Sequence, residues 1–257
     1  MNLARIWAIA ANGFREVIRD RIFYFIGFFA LILGFAIRLL PNISLGTHEK
    51  IFLDLGLGAM ALLGAIVAIF VGTGLINKEI DKKTVLVLIP KPLSRSEFII
   101  GKHLGLCAVL AVMLTVMTLI FFTLLTGFQT SYSIGLVFIS QLYLLLELAL
   151  LTAVAIAFGV FTSSILATLL SLGVYLMGHV SVDLLKLGQI SKNATIESLT
   201  STLYLILPDL ERLNLRNDVT YGMLPSINEL ISNAAYGIIY TALLLAIAIG
   251  IFSRRQF

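Results

Sequence analysis

The sequence predicts an all-α integral membrane protein, with six transmembrane helices following an N-terminal helix that lies along the membrane surface. Three observations carry this. Of 257 residues, 59% are hydrophobic and 12% charged, where a soluble protein has about a quarter charged. The apolar residues gather in runs of the length, about 20, that crosses a bilayer core about 30 Å thick. The charged residues stand between those runs. Helices follow because a helix satisfies its own backbone hydrogen bonds in hydrocarbon. No repeat, low-complexity tract or composition shift divides the chain, so residues 1–257 read as one membrane domain.

Residues 1–21 come first. Leu3, Ile6, Trp7, Ala10, Phe14 and Val17 fall on one helical face, with Arg5, Asn12, Arg15, Glu16 and Arg19 opposite. This pattern predicts a helix in the interface, its apolar face in the acyl boundary and its arginines near lipid phosphates. The six spans follow at Ile22–Ile37, Ile51–Ile76, Gly101–Thr126, Ile134–Phe161, Ser164–Val182 and Ala234–Phe252. The first begins too late, and runs too long without a small-residue cleavage pattern, to be a signal peptide.

An even number of spans puts both termini on one side. That side carries twelve of the eighteen Lys and Arg residues, so the positive-inside rule predicts cytoplasmic termini. The net charge of +4 therefore reflects topology, and nucleic acid is not an expected partner. A single cysteine, Cys107, excludes an intrachain disulfide and a multi-cysteine metal site.

Two loops have a construction of their own. The cytoplasmic loop, residues 77–100, holds a short apolar run from Thr84 to Ile89, stopped by Pro90 and Pro92. Ser94 and Glu97 then form a capping box that launches the third span. A mere connector needs no oily insert framed by prolines, so this run is expected to dock on something. The outer loop, residues 183–225, repeats Ile196, Leu199, Leu203 and Ile206 at helical spacing before Pro208, and "LPDLERLNLRND" brings more leucines. Short helices dipping into the outer interface and a small soluble cap both fit. Ser226 and Glu229 make a second capping box after Pro225.

The cytoplasmic loop resembles the signature loop of type-2 ABC exporter permeases, in which a Glu ending the second span precedes a Thr, leucines, a Pro, an Arg and a Gly-Lys. The matching positions are Glu79, Thr84, Leu86, Leu88, Pro92, Arg95, Gly101 and Lys102; Lys83 stands where the family has Gly before the Thr. The surface helix, the count of spans and the helical outer loop extend the resemblance over essentially the whole chain. "LPDLERLNLR" is most similar to permeases grouped with multicopper-enzyme maturation. The resemblance implies a permease subunit of a bacterial inner membrane, forming a translocation pathway, with export the expected direction. It implies pairing with a second permease and with ABC ATPase subunits on the cytoplasmic side. Coupling would run through Glu79, Thr84, Leu86, Leu88, Pro92 and Arg95. The chain has no phosphate-binding loop, His103 standing where "GKHLG" would need a hydroxyl. No cofactor and no catalytic residue are therefore expected in this chain, with ATP and Mg²⁺ belonging to the ATPase.

Glu147 is the one acid deep within a span. A carboxylate at the bilayer centre costs about 2.5 to 3.5 kcal/mol on insertion scales, so it is expected to face the protein interior or a wet cavity, with a role in the substrate path or between subunits, the alternative being a structural hydrogen bond with a neighbouring helix. His179 and Asp183 could share a helix face, but two residues are too few for a metal site. Gly56, Gly58, Gly64, Gly72 and Gly74 suggest close helix packing, at a subunit contact or within the chain. Three other readings stay open: a proton- or ion-coupled secondary transporter using Glu147, an intramembrane enzyme, and an ABC subunit that transmits force without moving a substrate.

Overall fold

The computed structural model describes residues 2–19, 22–43, 48–81, 94–127, 132–191 and 193–254, without the side chains of 41–43, 48 and 78–81. Every regular element among them is helical: α1 (Leu3–Arg19), α2 (Ile22–Ile43), α3 (His48–Asp81), α4 (Arg95–Gly127), α5 (Ile134–Phe161), α6 (Ser164–His179), α7 (Ser181–Ile190), α8 (Ala194–Ile206), a 3-10 turn (Glu211–Leu213), α9 (Arg216–Thr220) and α10 (Ile227–Arg254).

Helices α2, α3, α4, α5 and α10 are each long and apolar enough to cross a membrane. The fifth predicted span is not one helix. It breaks at Val180, where α6 and α7 meet at 63°. The 16 residues of α6 reach about 24 Å, short of a full crossing. The break coincides with a contact from a later part of the chain. The Gly178 carbonyl accepts from Ser181 Oγ at 3.2 Å and from Leu210 N–H at 3.1 Å, and a Cβ at Gly178 would stand 2.8 Å from the Pro208 carbonyl oxygen. The returning chain thus packs against the last turn of α6. As a result His179 and Asp183 lie on different helices instead of one face, and Asp183 pairs with Lys186 at 3.2 Å.

Both capping boxes form. Ser94 N–H donates to Glu97 Oε2 at 3.1 Å and Glu97 N–H to Ser94 Oγ at 3.2 Å, starting α4 ahead of the expected Gly101. Ser226 N–H donates to Glu229 Oε2 at 2.9 Å, starting α10 ahead of Ala234. In the 183–225 loop Asn193 caps α8 by accepting from Thr195 N–H, and α7 packs on α8. Arg212 bonds Asp209 and Tyr204, and these bonds hold its guanidinium still more firmly in the charged form.

At the centre lies α5, packed against α3, α4, α6 and α10. Leu148, Leu150 and Leu151 of α5 are fully enclosed with Met60 and Ile69 of α3 and Met113 and Met117 of α4. Because lipid is as apolar as leucine, close fit holds such helices together. Gly64 and Gly72 of α3 lie against Leu148 and Ala155 of α5, so these glycines pack within the chain. The helix α1 is amphipathic, as expected. Its apolar face is divided: Ile6, Ala10, Gly13 and Val17 are buried, while Leu3 and Trp7 remain 79% and 76% exposed. The buried half lies against α4, where Cβ atoms at Gly101 and Gly105 would each meet α1 at 2.7 Å.

Candidate functional site

One end of the bundle gathers the start of α1, the end of α10 and the start of α4. Of the expected coupling residues, Thr84, Leu86, Leu88 and Pro92 lie outside the described residues, as does the side chain of Glu79 in the last turn of α3. Arg95 is described, and its place was not foreseen. Its Nη1 donates to the Phe252 carbonyl at 2.9 Å and to that of Ser253. The last carbonyls of a helix have no partner within it and carry the negative end of its dipole, so a guanidinium suits them. Two residues on, the Glu97 carboxylate accepts from Asn2 N–H at 2.7 Å, while the buried Lys102 reaches Glu16 of α1 at 3.6 Å. The first two turns of α4 therefore hold α1 on one side and the end of α10 on the other.

Toward the opposite end, Glu147 lines a cavity of about 540 Å³ between α2, α3, α5 and α6, bordered also by residues 213–216. Ser140, Leu144 and Glu147 follow one another at helical spacing along the wall that α5 contributes, with Gln141 beside them. Leu57, Leu63 and Ile66 of α3 supply apolar surface. Phe28 of α2 and Leu62 of α3 line the cavity while staying more than half exposed, so it reaches the bundle surface between these helices.

Glu147 is 2% exposed, and its Oε1 lies 3.2 Å from His179 Nε2. The other ring nitrogen, Nδ1, is 2.9 Å from the Tyr175 carbonyl. A carbonyl only accepts, so Nδ1 carries a proton. Nε2 and the carboxylate are then two acceptors unless a second proton lies between them. Gln141, 8% exposed, has neither its amide nitrogen nor its oxygen bonded among the described residues. At the rim, Arg216 Nε and Nη2 each donate to Asp54 at 2.6 Å.

Glu147 was legible in the sequence as an interior acid beside a cavity. Its partner His179 and the Arg216–Asp54 pair were not, since each joins positions far apart in the chain. Gln141 left a signal that the reading passed over, a second polar residue near Glu147 on a helix otherwise apolar.

A direct comparison with the curated proteins gave no match. Residues 7–257 match the family described as ABC-2 family transporter protein. With that match over nearly its whole length and with membrane-crossing helices throughout, the chain belongs to the ABC-2 family and is a membrane-spanning permease subunit of an ABC transporter.

Proposed function

We propose that this permease works as an exporter, driven by a separate ABC ATPase that docks on residues 77–100 and holds the ATP and Mg²⁺. Glu79, Thr84, Leu86, Leu88 and Pro92 form the docking element, and Arg95 passes its displacement inward. Both termini lie in the cytoplasm of a bacterial inner membrane, a second permease completes the pathway, and cargo is held in the cavity at Glu147. The observation that carries this reading is the knot at residues 94–97. Force applied to the loop meets α1, α4 and α10 at once through Glu97 and Arg95, so the helices shift as a unit between two packings and do not bend singly. The cavity beside Glu147 favours transport of a substrate over force transmission alone.

Affinity purification of the chain from native membranes tests the partnership, with the ATPase expected in the eluate. Leu86→Asp with Leu88→Asp is expected to remove it while the permease stays folded. An eluate without ATPase points instead to an ion-coupled secondary transporter acting through Glu147. A thiol label that cannot cross membranes should modify Lys91→Cys only in opened vesicles, and labelling in intact cells refutes the topology.

A further inference from the structure

We infer that the Glu147 cavity is a binding site for an amphipathic amine, a protonated amino group on an apolar body. This rests on the reading of that cavity as the place where cargo is held. Its walls are mostly apolar, and its volume of about 540 Å³ falls in the range, about 300 to 1,000 Å³, of sites for drug-sized molecules. The head group is chosen by what is left unbonded. Glu147 Oε1 and both polar atoms of the Gln141 amide are buried without a hydrogen bond among the described residues. Buried polar atoms without partners are costly, and a ligand that satisfies them recovers that cost.

The charge balance then selects among head groups. The two lining residues able to carry positive charge are Arg216 and His179. Arg216 is committed to Asp54 through both hydrogen bonds, and the Nε2 of His179 faces Glu147. Among the described residues lining the cavity no further cation is present to receive a phosphate or carboxylate head, which would also stand against the Glu147 carboxylate. An ammonium brings its own protons. It can donate to the Glu147 carboxylate, with the Gln141 carbonyl oxygen a further acceptor lining the same cavity, and its positive charge matches the one carboxylate among the described lining residues, the arrangement in which charge-assisted hydrogen bonds are strongest. Leu57, Leu63 and Ile66 would pack against the apolar body.

The test uses the full-length permease in nanodiscs and three fluorescent probes that share an apolar body. Dansylcadaverine ends in a primary amine, its N-acetyl derivative is neutral, and dansylaminohexanoic acid is an anion. Saturable binding of the amine is expected, with the acetylated and acidic probes weaker by at least about tenfold. Glu147→Gln and Gln141→Leu should each weaken the amine by about tenfold or more and leave the acetylated probe unchanged. Equal affinity for amine and acid, or undiminished amine binding by folded Glu147→Gln, overturns the proposal. Should Glu147→Gln fail to fold, the three-probe comparison on the unaltered chain decides, together with Leu144→Trp, which fills the cavity and should abolish binding. ATPase co-purification from the same preparations is scored separately, so loss of the coupling partner is distinguishable from loss of the amine site.

Discussion

Gly58→Ala tests whether the outer loop is lashed to α3 through Arg216. A Cβ at position 58 would stand 2.6 Å from both Cζ and Nη1 of Arg216, about an ångström inside ordinary contact, so the guanidinium must move off Asp54. Two charge-assisted hydrogen bonds would be worth about 1.5 to 3 kcal/mol each if fully enclosed. Both side chains are 39% exposed, and pairs open to water retain about 0 to 1 kcal/mol; the bidentate geometry places this one near the top, at about 1 kcal/mol. Alanine for glycine inside a helix returns about 0.5 to 1 kcal/mol, so the single variant should change stability little. The double-mutant cycle separates the two effects. In an Arg216→Ala background, Gly58→Ala should stabilise by about 0.5 to 1 kcal/mol, giving a coupling of about 1 kcal/mol. Reversible unfolding in mixed micelles, followed by helical circular dichroism, measures all four proteins. If Gly58→Ala has the same effect in both backgrounds to within about 0.3 kcal/mol, the guanidinium does not rest on Gly58 and the lash is wrong.

Arg95→Ala should uncap α10, raising amide exchange in its last turn by about two- to fivefold, the equivalent of 0.3 to 1 kcal/mol, and leaving the middle of α10 unchanged. Gly64→Val drives a side chain into Leu148, which a Cβ would already meet at 2.5 Å; overpacking of about 1 to 3 kcal/mol is expected, measured by the same micelle unfolding.

How much was legible follows from which residues set each feature. The spans and both capping boxes are local. Ser94 with Glu97 and Ser226 with Glu229 lie within one helical turn, and hydrophobic length fixes the crossings, so periodicity suffices. The break at Val180 coincides with contacts from Leu210 and Pro208, some thirty residues later, and nothing between Ser164 and Val182 announces it. Arg95 reads as one more cytoplasmic positive charge until α10 is brought beside it. The apolar face of α1 is local too, but amphipathicity records only that a side is apolar, not which part of it Gly101 and Gly105 will cover. Arg216 was counted only as an outer charge, since its partner Asp54 begins a different helix.

The helix α3 joins the two proposed sites, and its construction suggests how displacement at one would reach the other. It runs unbroken for 34 residues, carrying Glu79 near one end and Asp54 and Gly58 near the other. Between them, Thr73 Oγ1 lies 3.0 Å from Thr168 Oγ1 of α6. Each hydroxyl also reaches a carbonyl of its own helix, Ile69 for Thr73 and Ser164 for Thr168. A hydroxyl has one proton, so the link between the helices forms only when one of them releases its carbonyl. Such a contact makes a soft pivot, and hydrogen bonds between membrane helices average about 0.6 kcal/mol. From Thr73 the arm to Asp54 is about 28 Å and the arm to Asp81 about 12 Å. A shift of 1 Å at the loop therefore becomes roughly 2.4 Å at the cavity rim if α3 turns rigidly there. Thr73→Val keeps the volume and removes the pivot. Substrate moved per ATP should fall by about threefold, the equivalent of 0.6 kcal/mol, with ATPase association unaltered. Full transport by this variant would mean that α3 does not turn about Thr73, and that the cavity is worked through α5 or α6 instead.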